Sequence, residues 1–296
     1  MDEPLDLTPF SDVLAALNDL SAPFPARYLR SFSDLSRKNL KDLQQIWPDL
    51  PEHRKVSLLE DLETVFESDT VVNFDCLARE LLNDPQAAVR VIALRLLWEC
   101  EDTALIPALL SMVINDPDET SRATAAAVLG RFVLLGELET IRADLYEKVV
   151  KQLVEIVEGN DNARVKQRAL ESLGYSSHSS IAGLIQNAYL SKDSSWVTSA
   201  LCAMGRSADD AWFAQVDRML NSPDADVQFE AIRAAGELEL SGSREKLLTL
   251  LNEELDDEEL RLALIWSLSQ IGGDEVKEKL DELLKNATDD DEVDWI

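Results

Sequence analysis

Histidine is nearly missing from this chain, and its scarcity excludes a good deal of chemistry. There are two in 296 residues, His53 and His178. Zinc, iron and copper centres draw largely on imidazole and thiolate ligands, so metal catalysis has little to build with. His178 lies in the run Tyr175-Ser176-Ser177-His178-Ser179-Ser180 and reads as a polar turn residue. Cysteine is as scarce. Cys76, Cys100 and Cys202 are odd in number and far apart, without the close pairs of a zinc or redox motif. Two sit inside apolar helical patterns, so buried reduced thiols in a cytoplasmic protein are expected. No apolar run approaches the ~20 residues of a membrane span. The start, Met1-Asp2-Glu3-Pro4, lacks the basic and apolar stretches of a signal peptide. Phosphate loops, dinucleotide fingerprints and nucleophile elbows are also missing. No catalytic residue, cofactor or metal site is expected, and the chain reads as non-enzymatic.

Positive charge is in short supply too. The 28 Lys and Arg stand against 57 Asp and Glu, for a net charge of −29 and a pI near 4.3. Such a field repels nucleic acid and anionic membranes. It keeps an elongated protein soluble, and it also suits a basic partner. The charge is uneven: residues 27–55 hold seven bases and four acids, residues 237–296 six bases and 19 acids. In so acidic a chain, paired carboxylates such as Glu253-Glu254 carry no catalytic signal. Asp289–Asp291 lacks the spacing and glycine of a calcium loop and reads as a solvated charge run.

What the chain does have is a ten-residue pattern, present six times. It reads Val89…Ala93…Leu97, Ser121…Ala125…Leu129, Val165…Ala169…Leu173, Trp196…Ala200…Met204, Val227…Ala231…Ala235 and Leu260…Leu264…Leu268. The middle residues are 32, 44, 31, 31 and 33 positions apart. A period near 32 with helical internal spacing predicts stacked helical hairpins, a solenoid. Positions 1, 5, 6 and 9 share one face. The small residue at position 5 lets a neighbouring helix approach, and glycine at position 10 suits a left-handed helix end. A second helix follows, with Leu109, Ile185, Val216, Leu247 and Leu280 as its core. The turns Asn83-Asp84-Pro85, Asn115-Asp116-Pro117 and Asn221-Ser222-Pro223 predict an N-cap followed by proline at the first helical position. Position 2 carries Arg90, Arg122, Lys166 and Arg261 in four copies. These predict a structural ladder of Asp–Arg bonds between successive repeats, since charges near a core are normally paired.

The 44-residue step marks an insertion, whose apolar face over 137–158 predicts one long helix. Residues 1–82 lack the clean motif and are expected to form an N-terminal helical cap with degenerate repeats, ahead of the repeats of 83–296. Val293 falls 33 residues after Leu260, at position 1, so an incomplete last repeat is expected, either a short capping helix or a natural chain that continues.

The stretches Asp84-Pro85…Val89-Arg90…Ala93, Val165-Lys166…Ala169…Leu173-Gly174 and Val227…Ala231…Ala235-Gly236 resemble the HEAT-repeat family, above all its short, phycobilisome-lyase-type form. The resemblance implies an all-α fold, a right-handed α–α superhelix whose motif helices line a concave face, and work as a holder of other macromolecules. One HEAT-like enzyme class, deoxyhypusine hydroxylase, binds di-iron through repeated His-Glu pairs. Here Arg54 follows His53 and Ser179 follows His178, so that pattern is absent. Another, the alkylpurine DNA glycosylases, uses a basic groove. Positions 3 and 7 here form no basic stripe, which disfavours nucleic acid. They do place Phe229, Arg233, Leu262 and Trp266 in equivalent slots of adjacent repeats. That is an apolar patch with one cation, as at protein–protein hot spots, although the aromatic rings are equally placed to tuck into the core. A scaffold for protein or peptide partners is the main expectation. A bilin lyase or bilin carrier, and a structural segment of a larger protein, are the alternatives.

Overall fold

The computed structural model describes residues 9–252 and 257–286, and among these every regular element is helical. The chain divides into two compact units, Met1–Phe132 and Val133–Ile296, with the division inside one helix.

The first unit contains α1 (Phe10–Asn18), α2 (Arg37–Ile46), α3 (Glu52–Ser68), α4 (Asp75–Leu81), α5 (Ala87–Leu96), α6 (Ile106–Asn115) and the start of α7 (Glu119–Glu137). The pattern positions face inward: Val89 and Ala93 on α5, Leu97 just after it and Leu109 on α6 are all fully buried. One further copy precedes the six read from the sequence. On α3, Leu58 and Leu62 stand at positions 5 and 9 and are fully buried. Position 1 of that copy is Arg54, which hides it from an apolar search. Arg54 is buried because it serves a different end. Its guanidinium donates to the carbonyls of Ala16, Leu17, Asp19 and Ala22 at 2.9–3.2 Å. It thus satisfies the open C-terminal carbonyls of α1 and places a cation at that helix's negative end.

The second unit contains α8 (Ala143–Glu158), α9 (Ala163–Leu173), α10 (Ser179–Tyr189), α11 (Ser194–Arg206), α12 (Phe213–Met219), α13 (Ala225–Glu237), α14 (Arg244–Leu251), α15 (Glu258–Ile271) and α16 (Asp274–Asn286). Motif helices α9, α11, α13 and α15 stack in order, each paired with the helix before or after it. Both units therefore show the all-α solenoid arrangement.

Three expectations need correction. The insertion is not one helix over 137–158. Glu139 adopts a left-handed φ of 56°, and Thr140 N–H returns to the Leu135 carbonyl at 2.9 Å, closing α7. Leu138 is exposed, and α8 begins only at Ala143. From α8 onward the expected apolar positions Val149, Leu153 and Ile156 are buried. Nor do the position-10 glycines supply left-handed ends. That conformation falls three residues later, at Ala208 and Glu239. The glycines instead permit close approach: a Cβ on Gly174 would lie 2.6 Å from the Ala203 carbonyl oxygen, and one on Gly236 2.7 Å from Ser267 Cα. Finally, the prolines stand one residue before the cap. Asp118 and Asp224 cap α7 and α13, each accepting a backbone N–H from the first turn. Asp84 and Asp116 instead close two-residue Asx turns onto Gln86 and Asp118. The turn that resembles another repeat start, Asp289–Glu292, and the incomplete repeat after it lie outside the described residues.

Candidate binding groove

Because position 5 of each motif helix faces the core, positions 3, 4 and 7 lie together on another face, and stacking sets them in rows. Across α9, α11, α13 and α15, position 3 reads Gln167, Thr198, Phe229, Leu262. Position 4 reads Arg168, Ser199, Glu230, Ala263. Position 7 reads Glu171, Cys202, Arg233, Trp266. The surface grades from polar at α9 to apolar at α15.

At the apolar end, Phe229, Arg233, Leu262 and Trp266 come together, with Glu259 and Ala263, around an open groove of about 280 Å³. All four are half-buried: they contribute to the repeat contact and keep a face to solvent. At the polar end a second hollow of about 380 Å³ is lined by Arg168, Glu171, Ser199, Cys202, Arg206 and Glu230, among others. Phe229 and Arg233 line both, so the two hollows adjoin.

The polar end is a network of buried charge. Glu171 accepts from Arg168 Nη1 at 2.5 Å and from Ser199 Oγ at 2.7 Å. Arg206 Nη1 donates to the Glu171 carbonyl at 3.0 Å, and its guanidinium lies 5.1 Å over the Tyr175 ring. Arg233 reaches Glu237 at 3.2 Å but Glu230 only at 3.9 Å. Glu237 Oε2 is buried without a hydrogen-bond partner, beside the space a Cβ of Gly205 would fill. Burial pushes the carboxyl pKa of Glu230 and of Glu237 above the ordinary value, against the pull of Arg233. Burial likewise raises the Cys202 thiol, reinforced by Glu230, Glu171 and Glu237. Burial works against the Arg206 charge, yet Glu171 and Glu237 help hold its pKa above the guanidinium norm. Burial therefore keeps the thiol protonated, in a hollow lined by the four arginines Arg164, Arg168, Arg206 and Arg233 and the three carboxylates Glu171, Asp226 and Glu230.

Three of the position-2 cations share a contact that the expected ladder did not include. Arg90, Arg122 and Lys166 each reach back to a backbone carbonyl of the preceding turn: Asp84, Asp116 and Gly159, at 2.8–2.9 Å. Gln228 does the same to Leu220 at 2.9 Å. Carboxylate pairing between repeats is added where Arg90 grips Asp116 with two bonds of 2.6 and 2.8 Å, and where Lys55, at position 2 of the extra copy, meets Asp84 at 3.4 Å. Arg261 holds the same register on α15, half-buried.

Sequence reasoning found the apolar half of the groove and missed the polar half. Arg206 and Glu237 sit at position 11, one past the ten-residue motif. Glu230 and Ser199 sit at position 4, where a charge or hydroxyl on the core's edge was the available signal. Among the described residues, no three His, Cys, Asp or Glu side chains are grouped to hold a metal ion. No described helix is long and apolar enough to cross a membrane.

A stacked helical solenoid built on this repeat is the architecture of one class. The sequence matches the family model for HEAT repeats over residues 76–174 and 214–295, more than half its length, and the chain belongs to that family. Among solved structures it is similar to the complex of CpcE and CpcF of phycocyanin lyase from Nostoc sp., with 20% identity over 74% of this chain and 90% of that one and a TM-score of 0.51. It is also similar to YibA of Escherichia coli, with 17% identity, coverage of 91% and 92%, and a TM-score of 0.46. Human deoxyhypusine hydroxylase follows at 16% identity, coverage of 88% and 96%, and a TM-score of 0.37. At these identities the likeness is one of fold. No curated protein matches the sequence.

Proposed function

We propose that this protein is a non-enzymatic scaffold or adaptor that holds protein or peptide partners on the face formed by α9, α11, α13 and α15. The observation that carries the reading is the groove of Phe229, Leu262 and Trp266 beside Arg233. Aromatic and arginine side chains in a concave, half-desolvated setting are the residues that dominate protein interfaces. Regular helices hold them in place before a partner arrives, which lowers the ordering cost of binding.

The test is an affinity pull-down from the source cell, comparing the wild-type chain with Phe229→Ala/Trp266→Ala, both checked for helicity by circular dichroism. A stoichiometric partner lost by the folded double variant supports the reading and locates the face. A partner retained equally by both moves the site elsewhere. A second reading, bilin handling, is suggested by the likeness in fold to the phycocyanin lyase subunits. It predicts a shift in bilin absorbance on mixing, abolished by the same double variant.

A further inference from the structure

The polar hollow next to the aromatic groove holds more arginine than its own carboxylates use. Guanidinium groups of Arg164, Arg168, Arg206 and Arg233 line it, against the carboxylates of Glu171, Asp226 and Glu230. Two of the four are committed, Arg168 to Glu171 and Arg233 to Glu237, with Glu230 at 3.9 Å. Arg206 is not. Its Nη1 donates to the Glu171 backbone carbonyl at 3.0 Å, and one face lies on the Tyr175 ring. No carboxylate of the described residues comes within ion-pairing distance, and Glu171 and Glu237 act on it only through their field. Its Nε and Nη2 form the edge with which a guanidinium grips an oxyanion through two parallel bonds. Neither has an acceptor among the described residues, and neither is sealed off from the hollow. A mostly buried cation without a counter-charge is costly. Arg164, exposed on the rim, also has no acceptor for its side chain among the described residues. The carboxylates present oppose an entering anion less than their number suggests. Glu171 is taken by Arg168 and Ser199, and burial pushes Glu230 toward its neutral form beside Cys202.

Resting on the scaffold reading above, we infer that the hollow receives an aspartate or glutamate from a partner's peptide segment, held side-on by Arg206 with Arg164 at the rim, while a neighbouring apolar side chain of that segment covers Phe229, Leu262 and Trp266. The sign is opposite to the one that the net charge of −29 alone would suggest. At physiological salt, exposed charges more than about 8 Å apart are largely screened. An entering side chain therefore meets the lining of the hollow rather than the charge of the whole molecule. The two hollows adjoin at Phe229 and Arg233, which puts the open guanidinium edge and the aromatic groove within reach of one short segment. A carboxylate suits the site better than a phosphate. It spreads one charge over two oxygens that match the guanidinium fork, whereas a phosphorylated side chain brings nearly two charges up against Glu171 and Glu230.

Fluorescence anisotropy with synthetic labelled peptides on the full chain tests this. The probes are Gly/Ser peptides carrying one glutamate and one leucine, two, four or six positions apart. Their controls carry glutamine, arginine or phosphoserine in place of glutamate, or serine in place of leucine. The expected result is binding of a glutamate–leucine peptide, weakened about tenfold or more by glutamine, by arginine or by loss of the leucine. Arg206→Gln reproduces the glutamine loss and leaves the weak binding of the glutamine peptide unchanged. Arg164→Ala, a change at the exposed rim, gives a smaller loss. Circular dichroism checks both variants, and if Arg206→Gln does not fold, the glutamate–glutamine comparison on the wild-type chain decides alone. If the glutamine or arginine peptide binds as well as the glutamate one, and Phe229→Ala/Trp266→Ala loses it, the groove stands as a binding face and the acidic inference falls. If folded Arg206→Gln binds the glutamate peptide undiminished, the pairing is overturned. Tighter binding of the phosphoserine peptide overturns the choice of a carboxylate. Failure of every peptide also overturns the inference, and the pull-down of the intact partner then judges the scaffold reading on its own.

Discussion

The Arg90–Asp116 pair is the sharpest point at which the repeat architecture can be challenged. Its two side chains are 9% and 5% exposed, and two short hydrogen bonds join them. Arg90 also holds the Asp84 carbonyl at 2.9 Å, while Asp116 takes the Asp118 N–H at 3.0 Å. Arg90→Met removes the cation and leaves a buried carboxylate with a single backbone donor. Breaking a buried pair from one side costs about 3–5 kcal/mol. Asp116→Asn keeps the turn acceptor and removes only the charge, so about 2 kcal/mol is expected. In the double variant no charge is stranded, and its loss should be no greater than that of Arg90→Met alone. The coupling energy is then about 2 kcal/mol. Urea unfolding followed by circular dichroism gives the four stabilities. Because two units need not unfold together, amide exchange in α5 and α6 assigns the loss to the first unit. Losses below about 1 kcal/mol in both single variants, adding simply in the double, are the behaviour of an exposed ion pair and would refute the buried-clasp reasoning.

Other perturbations have equally definite signs. Gly236→Ala drives a Cβ against Ser267 Cα and should cost about 2–3 kcal/mol by overpacking. Ala208→Gly, where φ is 51°, should be neutral to stabilising by up to about 1 kcal/mol, since glycine relieves the left-handed strain. Both are read from thermal or urea melts, and a reversal of the two signs would contradict the assignment of close approach and helix ending. Burial raises the Glu230 carboxyl above its ordinary 4.5, so between the two pKa values the folded state holds more protons than the unfolded. Stability then falls as pH rises through that window. Glu230→Gln should therefore stabilise at pH 7.5 and lose its advantage at pH 4. An advantage of the same size at both would contradict the shift. Of the three cysteines, exposed Cys76 should react with a thiol reagent in the native state well before the buried Cys100 and Cys202. Labelling of Cys202 at a comparable rate would show that the hollow is not closed at its floor.

The parts of this fold written in side-chain periodicity were legible, and those written in backbone conformation were not. Ala93, Ala125, Ala169, Ala200 and Ala231 recur where two helices touch, and all are fully buried. The copy on α3 was hidden because its first position is Arg54, given over to the carbonyls of α1. The break after α7 was hidden because a glutamate, rather than a glycine, takes the left-handed position. In the groove, Phe229, Arg233, Leu262 and Trp266 could be brought together from register alone. Glu230 and Arg206 could not, since the groups that surround them in the hollow come from other helices, and no single helix records that. The cation ladder was half legible: its donors and the Arg90–Asp116 pair appear in the sequence, but the carbonyls that also receive Arg90, Arg122 and Lys166 do not.

That last feature bears on how such a chain can drift. A clasp between two side chains binds two positions together, so a change at one calls for a change at the other. A clasp from a side chain to a carbonyl binds only one, because every residue carries the acceptor. The turns before α9 and α13 are therefore free to vary in composition while Lys166 or Gln228 continues to hold them. Successive repeats can lose nearly all likeness to each other without losing their joint, and paired substitutions would leave little trace of it.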